Sequence, residues 1–133
     1  MRFVAFIHKE PDSSYGVSFP DLPGCVSAGE TADEAIAGAA EALAFHVAGM
    51  RADEEPIPSP RSLEQVLIDE DLAEDRAGAS FALVPLIEDR GTPKRVNISL
   101  DPGLLQAIDE EAEARGMTRS AFLASAARRE LLG

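Results

Sequence analysis

Lys94-Arg95-Val96-Asn97-Ile98-Ser99-Leu100 alternates strictly between apolar and polar residues. Val96, Ile98 and Leu100 fall on one side of an extended chain, and Arg95, Asn97 and Ser99 on the other, which is the pattern of a half-buried strand. Asp101-Pro102 follows directly. Aspartate caps a helix, and proline is tolerated at the first helical position because its missing N–H would be unsatisfied there anyway. Leu104, Leu105, Ile108 and Ala112 recur at helical spacing, and Gly116 after Arg115 is placed to end that helix as a left-handed residue. Thr118 or its neighbour opens a second helix, with Phe122, Leu123, Ala126 and Leu131 as its apolar stripe.

A lone strand leaves its backbone groups unpaired, and a segment of one strand and two helices seldom buries enough apolar surface by itself. A second copy answers both needs. Two strands pairing antiparallel about a twofold axis would close Val96, Ile98 and Leu100 of both chains onto four helices, forming the dimer core. The opposite face then displays Arg95, Asn97 and Ser99 twice, on a two-stranded ribbon that fits the major groove of B-DNA. Arginine donates bidentately to guanine, asparagine pairs with adenine, and serine serves either, so these are the candidate base-reading residues. Lys94, Thr118, Arg119 and Ser120 are the candidate phosphate contacts, the last three because a helix start offers free N–H groups and a positive dipole end. Arg128 and Arg129 carry less information, since positive charge near a helix C-terminus also favours the helix itself. The run "R-V-N-I-S-L-D … L-L-x-x-I-D-x-x-A-x-x-R-G-M-T-R-S-A-F-L" resembles the ribbon-helix-helix DNA-binding domain along its full length.

The 133 residues carry a formal net charge of −12, and residues 1–93, with six basic and eighteen acidic residues, hold all of the excess. An acidic block repels phosphate backbones and attracts basic partners. Residues 94–133 carry six of each sign. Between the two lies Glu88-Asp89-Arg90-Gly91-Thr92-Pro93, polar and closed by proline, which reads as a linker. The domains are therefore placed at residues 1–89 and 94–133. Asp53 to Pro60, with three prolines, reads as an exposed loop within the first.

Upstream, Arg2–His8 and Tyr15–Phe19 read as strands joined through Glu10–Ser14, and Cys25–Gly29 as a short third strand. Thr31 with Glu34 matches a capping box, and Ile36, Ala39, Ala40, Leu43, Val47 and Met50 make one apolar face, which predicts a helix from Thr31 to Met50. Ser62 with Gln65 starts a shorter helix toward Leu72. Ser80–Ile87 reads as a last strand, with Pro85 indicating an edge position or a bend. The expected fold class is α+β: an antiparallel sheet with helix on one face, followed by a ribbon-helix-helix dimerisation domain.

A single cysteine, Cys25, excludes an internal disulfide, and two histidines without a cysteine cluster disfavour structural zinc. No metal and no cofactor is expected. No apolar run is long enough to span a bilayer, and Met1-Arg2-Phe3 leads straight into strand-like sequence rather than a signal peptide, so a cytoplasmic protein without membrane contact is expected. His8 and His46 read as structural residues, and Cys25 as a small buried one. Phe45 falls opposite the apolar stripe of its helix, beside Glu34 and Glu41; it either meets another element of its own chain or marks a contact patch.

Tyr15-Gly16-Val17-Ser18-Phe19-Pro20-Asp21-Leu22-Pro23-Gly24-Cys25, followed by Gly29-Glu30-Thr31-Ala32-Asp33-Glu34-Ala35, resembles the signature of HicB-type antitoxins. The resemblance spans roughly residues 1–87. It implies a degraded ribonuclease H-like fold and a small basic ribonuclease toxin, of the HicA type, as partner. On that resemblance, Tyr15, Asp21, Leu22 and Phe45 are candidate toxin contacts. Ribonuclease H-type catalysis needs clustered carboxylates around divalent metal. The first strand reads Phe3-Val4-Ala5-Phe6-Ile7, without a carboxylate, so no catalytic residues and no enzymatic activity are expected. Together the two resemblances imply an antitoxin that inhibits its toxin and represses its own operon by binding operator DNA. It would act as a homodimer at least, with pairing of dimers into tetramers left open. The alternative is a ligand-sensing ribbon-helix-helix repressor without a toxin partner.

Overall fold

The computed structural model describes residues 1–132, which divide into two compact units, Met1–Asp89 and residues 90–132. The first begins with strands β1 (Arg2–Lys9), β2 (Tyr15–Ser18) and β3 (Val26–Gly29) and the long helix α1 (Ala32–Ala52). Helix α2 (Leu63–Ile68), a 3-10 turn at Glu70–Leu72 and the single turn α3 (Ala73–Arg76) lead to strand β4 (Ser80–Pro85). The sheet is fully antiparallel in the order β3-β2-β1-β4, with Phe6 opposite both Ser18 and Phe81. β4 is an edge strand, and this is what admits Pro85 opposite Arg2 without a broken ladder.

Central strand β1 is apolar on both sides. Phe3, Ala5 and Ile7 share one face, Val4 and Phe6 the other, and all five are buried. A strand of that kind requires cover on both faces, which corrects the expected single layer of helix. α1 supplies one layer through Ala35, Ala39, Ala40, Leu43 and Val47; the last four belong to the face that the spacing predicts, whereas Ile36 and Met50 are only half-buried and Ala35 is buried at the start of the helix. The second comes from the segment after the proline loop: Val66 is buried on Val4 and Phe6, flanked by Leu63, Leu72 and Ala79.

Local signals explain the helix starts. The Thr31 hydroxyl accepts from the Glu34 amide at 3.1 Å, while the Glu34 carboxylate accepts from the Glu30 amide, also at 3.1 Å. Ser62 and Gln65 close a full capping box. The helix expected from Ser62 to Leu72 breaks at Asp69, whose side chain accepts from the Asp71 amide and restarts the chain as a 3-10 turn. Gly29 ends β3 against the first turn of α1. A Cβ there would lie 2.5 Å from the Ala35 nitrogen and 2.9 Å from its Cα, so only glycine allows this approach.

The second unit contains α4 (Pro102–Ala114) and α5 (Arg119–Leu132). The Asp101 carboxylate caps α4 through the amides of Gly103 and Leu104, with Pro102 at the first position. Its other end is a Schellman motif: the Met117 amide donates to the Ala112 carbonyl at 2.8 Å and the Gly116 amide to Glu113 at 3.1 Å, with Gly116 at φ +66°. The Thr118 hydroxyl then accepts from Ala121 and opens α5. Residues 94–100 form neither helix nor strand within their own chain. The strand expected there has no ladder to join in one copy, because every strand of the sheet belongs to the first unit.

Candidate functional site

In the first unit the signature loop turns inward. The Leu22 amide donates to the Phe19 carbonyl and the Cys25 amide to the Leu22 carbonyl, each at 3.1 Å, and Gly24 takes φ +90° to complete the turn. Phe19, Leu22 and Cys25 thereby all enter the core. Leu22 is only 2% exposed, which corrects its expected role as a toxin contact: its side chain holds the loop down. Burial pushes the Cys25 thiol pKa up, as suits an inert core residue.

Asp21 is likewise engaged within the chain. Its carboxylate, 5% exposed, accepts from the Arg61 backbone amide at 2.8 Å and from Arg61 Nε at 2.6 Å. Arg61 Nη1 donates on to Asp69 at 2.7 Å, and Arg76 Nη1 donates to the carbonyls of Val66 and Asp69. This network binds the signature loop to the second helical layer, and Asp21 leaves the set of candidate contacts for that reason. Arg61, Asp69 and Arg76 carry no signal in sequence, since their partners lie up to 40 residues away.

Two candidates remain outward. Tyr15 is half-buried, with Lys9 Nζ 5.6 Å from its ring centre. Phe45 is 84% exposed, so it meets no other element of its own unit and stands on α1 one turn from the exposed Glu41. Of the two alternatives for Phe45, packing on another element of its own unit is the one that its exposure rules against. Among the described residues, no three His, Cys, Asp or Glu side chains come together as a set that could hold a metal ion. Among the described residues no helix is long and apolar enough to cross a membrane.

In the second unit Lys94, Arg95, Asn97 and Ser99 are exposed, and so are their apolar neighbours Val96 (75%) and Ile98 (61%); Leu100 is half-buried. α4 buries only Ile108 and Ala112, and α5 buries no residue. The unit has thus assembled part of a core and left its apolar segment uncovered. At the start of α5, Thr118 serves as the cap, and Arg119 and Ser120 occupy the first two helical positions. Helix geometry leaves the amides of those two positions without intrahelical acceptors. The Arg119 guanidinium meets the Asp109 carboxylate in a side-on pair, Nε to Oδ1 at 2.9 Å and Nη2 to Oδ2 at 2.8 Å. Asp109 is the residue that pattern reading missed, because the two lie on different helices across the Gly116 turn.

Residues 3–127 match the family model described as HicB_like antitoxin of bacterial toxin-antitoxin system. An uncharacterized 14.9 kDa protein from the rep-hol intergenic region of Haemophilus phage HP1 is 34% identical over 134 aligned positions, covering 99% of this chain and 98% of the relative. The crystal structure of the Burkholderia pseudomallei antitoxin HicB superposes with a TM-score of 0.58 at 37% identity, covering 96% of both chains. A chain of a HicA3 and HicB3 toxin-antitoxin complex matches at TM-score 0.54 and 30% identity over 65% of this chain and 99% of the other.

Proposed function

The chain belongs to the HicB-like antitoxins of bacterial toxin–antitoxin systems, and from that membership we propose that it neutralises a small basic ribonuclease toxin and represses its own operon. Neutralisation falls to the first unit. Its excess of carboxylates suits a cationic RNA-cleaving surface, which it would occupy in place of substrate. The pairing of HicA3 with HicB3 in a toxin-antitoxin complex supports a toxin of that kind as the partner.

Repression falls to the second unit. The observation that carries this reading is the exposure of Val96 and Ile98 on a segment that forms no strand pairing among the described residues. Pairing with the same segment of a second copy would bury that apolar side and satisfy its backbone. Arg95, Asn97 and Ser99 would then line the outer face of the ribbon, with Lys94 and the start of α5 on flanking phosphates. Sequence discrimination would come from the three outward side chains, and salt-dependent affinity from the phosphate contacts.

Co-expression with the neighbouring gene's product tests both halves. The expected result is copurification, suppression of RNA cleavage by the complex, and a gel shift of the DNA upstream of the operon. A purified chain that neither captures that product nor shifts that DNA contradicts the proposal.

A further inference from the structure

We infer that Asp109, on α4, is the positioning residue for the phosphate contact made by Arg119, an inference that rests on the DNA-binding reading above. An aspartate beside a phosphate-binding arginine has two opposing effects. It repels the phosphate, and it holds the arginine. The geometry of the pair decides between them. A guanidinium has two edges able to grip an anion bidentately, one made by Nε with Nη2 and one by Nη1 with Nη2. Asp109 occupies the first. Both N–H groups of Nη1 and the outer N–H of Nη2 are left for a second oxygen pair, so the carboxylate and a phosphate can be held together by one planar group.

The surroundings support an orienting role. Arg119 is the first residue of α5, and its side chain is about half exposed, so without a partner it would sample many rotamers. The hydrogen bonds from Arg119 hold the Asp109 carboxyl below the usual carboxylate range, which keeps the pair ionised at neutral pH. Two other acids of α4 are held elsewhere: Glu111 pairs with Arg115, and Glu110 accepts from Gln106. Asp109 is paired directly with the first residue of α5. It also ties the two helices across the Schellman turn, so the guanidinium is fixed relative to the amides of Arg119 and Ser120.

The test uses the full chain and two duplexes of equal length, one from upstream of its own gene and one of random sequence, titrated at several salt concentrations. Asp109→Asn keeps the size of the side chain and removes its charge. We expect it to weaken binding to both duplexes about fivefold and to lower the salt slope toward that of Arg119→Ala. The double variant Asp109→Asn/Arg119→Ala should lose no more than Arg119→Ala alone, and Asp109→Glu should recover part of the affinity. Thermal midpoints of all variants separate this effect from unfolding. Tighter binding by Asp109→Asn would mean that repulsion dominates and overturn the inference. Additive losses in the double variant would overturn it as well. Those outcomes leave the DNA-binding reading intact if wild type binds and Arg119→Ala weakens it, whereas a wild-type chain that binds neither duplex overturns both.

Discussion

Arg61 reaches Asp21 across forty residues of sequence, giving it a hydrogen bond from the main-chain amide at 2.8 Å and another from Nε at 2.6 Å. The carboxylate is almost wholly covered, so its removal strands the Arg61 backbone donor, while the guanidinium, one-third exposed, keeps its pair with Asp69. Asp21→Ala should cost about 2 kcal/mol of stability, read by urea unfolding of the full chain. Any loss of toxin binding should follow the unfolded fraction, because Asp21 faces its own chain. Undiminished stability would return Asp21 to the set of toxin contacts.

The same cluster makes the protein acid-sensitive with a defined sign. The hydrogen bond from Arg61 and that from the Asp71 amide hold the Asp69 carboxyl below its ordinary value. A folded-state pKa below the unfolded one contributes stability at pH above the unfolded value, and that contribution disappears as pH falls through the folded one. Asp69→Asn should therefore be less stable than wild type at pH 7 and close the gap as the solution is taken below about pH 4. Unfolding midpoints measured from pH 7 down to pH 3 check this; a difference independent of pH would assign the effect to shape alone.

Phe45 and Leu22 separate surface from core. Phe45→Ala should leave the unfolding midpoint unchanged and weaken binding to the toxin, since an exposed ring stabilises nothing in its own unit. Leu22→Ala should destabilise the chain by about 2–5 kcal/mol. Calorimetric titration of the toxin, with thermal melts in parallel, distinguishes the two; toxin affinity unaffected by Phe45→Ala would move the interface elsewhere.

For the ribbon, Arg95→Ala and Asn97→Ala should each reduce the preference for operator over random DNA by about 1–3 kcal/mol. Competition binding at fixed salt measures this. Operator preference untouched by Arg95→Ala would make the polar face merely a wet one.

Much of the fold follows from signals within a few residues of each other. Thr31 with Glu34, Ser62 with Gln65, Asp101 with Pro102, and Gly116 each set a helix end by a hydrogen bond or backbone angle that nearby sequence determines. Long-range consequences were hidden. That Val66 would cover Val4 and Phe6 depends on a chain returning after sixty residues, and the depth of Leu22 depends on a loop folding inward where its prolines suggest exposure. The helix break at Asp69 follows from a side chain competing with the helix for the Asp71 amide, which composition does not reveal. At the candidate DNA face, alternation at 94–100 is visible in the sequence, while Asp109 on Arg119 required the turn between two helices to be built.

The most direct measurement is isotope-filtered nuclear magnetic resonance on a mixture of labelled and unlabelled chains. Interchain contacts joining residues 94–100 of one copy to residues 94–100 of another, with slow exchange of the bonded amides, are the expected result. A segment whose contacts all lie within a single chain, at concentrations where operator DNA is bound, would contradict the paired ribbon and the repression built on it.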